Sequence, residues 1–198
     1  MKRLLTTIAV LATASSVGLA RADTLYADFS PVFADGEMHA CNIEYAAFFD
    51  DFTYEQGRRL VATGSLYLTI VKGMPASMVK VRLGTLANNH FDPVMAPTSV
   101  SFLNAGHIVR PVTSADSDVP GARVSVYGTD VTVDLLEQIL GGKITLSFAR
   151  KKGGLDILLP LDIQARINPQ TGERTLSKVA INAFSLCAYD LIEKAKKQ

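Results

Sequence analysis

The sequence predicts a mainly β fold of the α+β kind, an antiparallel β-sandwich or barrel with two helices, the C-terminal one packed on the sheet. Three observations predict it. Apolar residues recur at every second position in long runs between residues 37 and 86, which is the period of a strand with one buried face. The period lengthens to that of an amphipathic helix at two places, after residue 130 and after residue 182. Two cysteines, Cys41 and Cys187, fall on the inward face of the first long strand and on the apolar stripe of the last helix.

The elements follow in order. Lys2 and Arg3 precede an apolar run over 4–12, then a small, polar stretch through Ser15, Ser16 and Gly18 that ends Ala20-Arg21-Ala22. Charged, apolar and Ala-x-Ala is the order of a cleaved secretory leader. The expected division is therefore a signal peptide over 1–22 and a single β-rich domain over 23–198. The apolar run is far shorter than the roughly 20 residues of a bilayer-crossing helix, and no later stretch supplies one. No cysteine follows the cleavage point, which speaks against a lipid-modified N-terminus. Three of the 20 basic residues, Lys2, Arg3 and Arg21, lie in the leader, leaving 17 against 19 acidic ones, a net charge of about −2. Such a balance gives no electrostatic footprint for nucleic acid or anionic lipid.

A short apolar opening at 25–29 leads to the run 37–49, where Cys41, Ile43, Tyr45, Ala47 and Phe49 alternate with Asn42 and Glu44. The polar stretch 50–57, with Asp50, Asp51 and Glu55, reads as a connection of exposed loop acids. A second strand spans 60–71, Lys72-Gly73-Met74-Pro75 breaks it, and 78–86 alternates again, so three antiparallel strands form a meander. From 88 to 121 four prolines space out short strands and long loops, and 124–127 is one more strand. Asp130 is placed to cap a helix carrying Val131, Leu135, Leu136, Ile139 and Leu140 on one face, with Gly141-Gly142 as its exit. Residues 144–148 and 155–161 alternate around Lys151-Lys152-Gly153-Gly154 and predict a hairpin. After a turn at 168–172, residues 175–181 read as a last strand. Asn182 then caps a helix whose Phe184, Cys187, Ala188, Leu191 and Ile192 make the apolar stripe.

An even pair of cysteines in an exported chain predicts a Cys41–Cys187 disulfide, the alternative being two buried thiols. No Cys-x-x-Cys spacing lowers a thiol pKa, so the role is structural. His39, His90 and His107 are too scattered for a local metal site, and Asp116-Ser-Asp118 lacks the rest of an EF-hand loop, so no metal is assigned. Gly141-Gly142-Lys143 follows a helix instead of opening one, which reverses a phosphate loop. No serine stands in a nucleophile elbow, and Arg58-Arg59 reads as a surface pair. No catalytic residue and no cofactor is therefore assigned.

The early Cys41, the meander, the segment from Val133 to Lys143, the late hairpin and the stretch from Phe184 to Cys187 together resemble the N-terminal periplasmic domain of the flagellar motor protein MotY and related exported β domains. The resemblance implies a β-barrel or sandwich with a disulfide between its two ends, serving as a docking module without catalytic residues. The chain departs from that family in having no tryptophan and no peptidoglycan-binding domain after the β domain. The expectation is a non-catalytic periplasmic or secreted binding or scaffold module, its partner another envelope protein or a small apolar ligand, with no nucleic acid and no membrane span. Two alternatives stand beside it: a β-barrel carrier holding an apolar ligand inside, and a hydrolase with a spatially assembled site, for which His90 and Asp92 are the named candidates.

Overall fold

A computed structural model describes residues 22–87, 90–94 and 96–197. The expected leader lies outside the described residues except for Ala22. The order of elements is β1 (Ala22–Phe29), β2 (Val32–Ala34), β3 (Glu37–Asp51), β4 (Arg58–Val71), β5 (Met74–Ala87), β6 (His90–Pro93), β7 (Val100–Asn104), β8 (His107–Val109), β9 (Thr113–Asp116), β10 (Ala122–Tyr127), α1 (Thr129–Leu140), β11 (Lys143–Phe148), β12 (Ile157–Asp162), β13 (Ala165–Ile167), β14 (Arg174–Leu176) and α2 (Val179–Ala195).

The expected meander is the centre of an eight-stranded antiparallel sheet ordered β1-β3-β4-β5-β10-β9, with β2 added beside β3 and β6 beside β5. Its register follows from the alternation. Tyr45 stands opposite Gly64, and Gly64 opposite Val81, so the apolar positions of three strands share one face. On that face Cys41, Ile43, Phe49, Leu60, Leu66, Leu68, Val79, Val81 and Leu83 are buried. Lys72-Gly73 is a two-residue hairpin loop with both φ angles positive, 52° and 75°, the geometry whose twist matches paired strands. The break expected through Pro75 is thus shorter than it reads: Pro75 already lies in β5, opposite Ile70.

A four-stranded sheet, β12-β11-β7-β8, covers one half of this inner face. Phe49 meets Phe148 edge-on at 6.2 Å and Phe102 meets Tyr127 at 5.2 Å between the layers. Ser125, buried on β10, accepts the Val100 amide at 2.9 Å and so fixes β7 to the large sheet. The two helices cover the other half: α2 lies on β3 and β4, α1 on β5. Ser77 and Thr132 share a buried hydroxyl contact of 3.0 Å beneath α1. The architecture is therefore sandwich-like, and the barrel alternative does not form. Where a barrel carrier keeps its chamber, Phe49, Phe102, Phe148, Leu83 and Leu146 pack together.

Both helix starts differ from expectation. Gly128, not Asp130, is the N-cap of α1, and Asp130 sits in the first turn, where its charge suits the helix dipole. The helix α2 begins after Lys178, four residues before Asn182, and the expected strand over 175–181 shrinks to β14. Val179-Ala180-Ile181 offers no polar alternation, and in the helix Ala180 and Ile181 extend the buried stripe of Phe184, Cys187, Ala188 and Leu191, so burial decides for helix. The short strands β2 and β13 were not legible as strands, being three residues each.

Cys41 and Cys187 are disulfide-bonded, with Cα atoms 5.8 Å apart across a sequence separation of 146. The bond fastens α2 to β3 as the two apolar patterns require. By the chain-entropy argument, closing a loop this long stabilises the fold by about 5 kcal/mol.

Candidate functional site

The outer face of the four-stranded sheet is the floor of an open groove of about 1290 Å3. Its floor follows from register: across β12, β11 and β7 Leu158 lies beside the buried Ser147 and Ser101, Leu103 lies opposite Ile108 on β8, and of these the three apolar residues line the groove. The apolar side chains Leu103, Ile108, Leu155, Leu158 and Phe52 give the groove its walls and floor. Phe52 and Leu155 are 74% and 76% exposed, which is high for residues of this size facing a concavity.

One end of the groove is held by a buried ion cluster. Asp51, at the end of β3, accepts the Thr53 and Tyr54 amides on Oδ1 at 3.0 and 2.8 Å, shaping the turn that carries Phe52. Its Oδ2 accepts Arg150 Nη1 at 2.7 Å, and Glu55 Oε1 lies 2.9 Å from the same nitrogen. The Tyr54 hydroxyl donates to the Leu155 carbonyl, and its ring lies 5.8 Å from the guanidinium carbon. Burial works to lower the Arg150 pKa, but the hydrogen bonds it donates to Asp51 and Glu55, with their charges, outweigh it and hold the value above the ordinary one. The turn after β3 and the loop after β11 are thereby tied together, although 99 residues separate Asp51 from Arg150.

Arg110, Arg123 and Lys152 line the groove against a single acid, Asp156. Asp156 is occupied by Ser147, whose hydroxyl donates to it at 2.9 Å. Arg123 is partly occupied too, donating to the Pro97 carbonyl at 3.0 Å and pairing with Asp116 at 3.2 Å. Arg110 and Lys152 pair with no carboxylate among the described residues and are exposed. The groove is thus apolar along its floor and positive at its rim. Ser99 lines it together with Lys152 and Asp156, and no histidine is among the lining residues.

The residues singled out from the sequence are placed as follows. His39, His90 and His107 are exposed on β3, β6 and β8. His90 Nε2 does lie 3.3 Å from Asp92 Oδ1, with side chains 78% and 58% exposed, on the rim of the large sheet away from the groove. Among the described residues no three His, Cys, Asp or Glu side chains converge as a metal site would. Asp116 and Asp118 are solvated and pair with Arg123 and Lys80. Gly141-Gly142 ends α1, as expected. The reading of Asp51 and Glu55 as exposed loop acids is corrected: Asp51 is buried and both hold Arg150. No described helix is long and apolar enough to cross a membrane.

Sequence reasoning did not find the groove. Leu155, expected in the alternation of the second hairpin strand, lies instead in the loop before β12 and is exposed, and the available signal was Phe52, a large apolar residue inside an otherwise polar turn.

Fold and site define a class: a two-layer antiparallel β-sandwich, one half capped by helices and a disulfide, with an open apolar groove on the outside of its smaller sheet. No family model, no curated protein and no solved structure matches the chain.

Proposed function

We propose that the chain is an exported, non-catalytic binding module of the cell envelope whose docking face is this groove, and whose partner is a protein segment that combines apolar and acidic residues. The carrying observation is the pairing of exposed apolar walls with an unneutralised cationic rim, Arg110 and Lys152, around a site with no histidine. Apolar area supplies affinity at such a face, and complementary charge steers and registers the partner. An open trough suits a chain laid along it better than a small ligand, which favours enclosure. Export is supported by the leader-like pattern over 1–22, by the disulfide, and by the resemblance in element order to exported docking domains.

Panning a displayed random dodecapeptide library against the oxidised protein tests this reading. Enrichment of peptides bearing both apolar and acidic residues is expected, with binding reduced at least about tenfold by Leu155→Asp or Lys152→Glu, roughly the cost of one lost anchor. Peptides that bind both variants as well as the wild type would place docking elsewhere. Turnover of a broad ester, peptide and glycoside panel by the purified protein would overturn the non-catalytic reading.

A further inference from the structure

The outer face of the large sheet, on the far side of the sandwich from the groove, carries a half-buried arginine with no carboxylate partner. Arg58, Arg59, Arg123, Arg150, Arg166 and Arg174 each meet a carboxylate. Like the exposed Arg110, Arg82 meets none, although all 19 acidic residues of the chain lie among the described residues. It is half-buried, and its Nε is fully buried without a hydrogen-bond partner. A buried guanidinium N–H left without a partner is costly, and an anion beside the half-buried group offsets that cost.

The surroundings are arranged around it. The Phe91 ring stacks on the guanidinium at 4.4 Å and leaves the in-plane N–H donors free. That ring can reach because residue 84 is glycine: a Cβ there would lie 2.4 Å from Phe91 Cζ and 2.6 Å from the Asp92 carbonyl oxygen. Thr63 stands directly opposite Arg82 and Ser65 directly opposite Lys80, all four side chains on the same face. Arg82 and Lys80 are two residues apart on one strand, about 7 Å along it. Lys80 pairs only with Asp118, at 3.4 Å, an acid that is 86% exposed. Of the acids of this face, Asp28 and Glu44 sit on β1 and β3 beside Tyr26, whose hydroxyl pKa is raised by burial first and by Glu44 and Asp28 next, and Asp23 and Asp50 sit beside Arg59, near the start of β1 and the end of β3.

We infer that Arg82, Lys80, Thr63 and Ser65 form an oxyanion site that takes a phosphate or sulfate group. A guanidinium fork, an ammonium and two hydroxyls present more donors than the two oxygens of a carboxylate accept, and match the four of a tetrahedral anion. The site is independent of the groove and of the reading based on it.

Titration of the oxidised protein with inorganic phosphate at constant ionic strength tests it, followed by NMR at the arginine Nε–H resonances. The Arg82 resonance shifts saturably, with an apparent Kd on the order of 1 mM. In Arg82→Gln the amide shifts of β5 that accompany it are lost, and Lys80→Gln weakens the binding about tenfold. Lys143→Gln, on the other sheet, leaves the titration unchanged. A second arm sediments the protein with phosphatidylcholine vesicles with and without phosphatidylglycerol. Arg82-dependent sedimentation with the anionic vesicles identifies the phosphate as a lipid headgroup's; a saturable phosphate shift without sedimentation identifies a soluble phosphate or sulfate compound. An Arg82 resonance that does not move, or that moves linearly together with those of the solvated arginines, overturns the proposal. So does undiminished phosphate binding by a folded Arg82→Gln protein.

Discussion

Tyr45 and Tyr127 are buried, and each donates its hydroxyl proton to a backbone carbonyl, Lys80 at 3.1 Å and Val100 at 2.7 Å. Burial pushes both hydroxyls far above the ordinary phenol value of 10.0, and for Tyr45 the nearby Tyr127 adds to the effect. The folded chain therefore holds these protons more tightly than the unfolded one. Their contribution to stability is complete below about pH 10 and is lost as pH rises beyond it. Denaturant midpoints should fall steeply above pH 10, and less steeply in Tyr127→Phe. Ultraviolet titration should show two of the six tyrosines ionising only as the protein unfolds; a single step near pH 10 for all six, with the fold intact, would refute this. The inward placement of Tyr45 was readable from its place in the alternation of β3. The carbonyl that receives its proton was not, because the Lys80 carbonyl lies two strands away.

At the scale of elements, alternation carried most of the fold. The strands β3, β4, β5 and β11 stand where period two puts them, because each has one face against the core and one toward solvent, and β12 does so from Ile157 on, leaving Leu155 exposed in the loop before it. What failed were short or competing signals: Asn182 is a good cap by type, yet the apolar run before it gains more by joining α2. The turn after β3 departs from expectation for a different reason. Asp51 and Glu55 look solvated when their neighbours in sequence are considered, and only the distant Arg150 makes them a buried cluster. Asp51→Ala removes that ion pair and two amide contacts together, and is expected to cost about 3–5 kcal/mol in urea unfolding. Asp51→Asn, which keeps an acceptor for the Thr53 and Tyr54 amides, should lose less. A loss below about 1 kcal/mol for the alanine variant would mean that the cluster adds little beyond what water supplies.

The whole molecule presents two unrelated outer faces, the groove behind the smaller sheet and the Arg82 patch behind the larger. Neither was legible in the sequence. A surface takes its residues from segments distant in the chain, and no period marks side chains that face away from the core. The covalent frame was legible, because each cysteine lay on an apolar stripe that had to meet the other.

That frame has a mechanical consequence. With Cys41 joined to Cys187, tension applied at the two termini passes through the sulfurs and bypasses everything between them. Stretched in a force spectrometer, the oxidised chain should release only its flanks: β1 and β2 at one end and the tail of α2 at the other. Adding a reductant should free the enclosed 146-residue span, lengthening the tether by about 500 Å at the reach of an extended chain. The oxidised sandwich is a bead on a short leash: its two faces keep their shape while the leash is pulled.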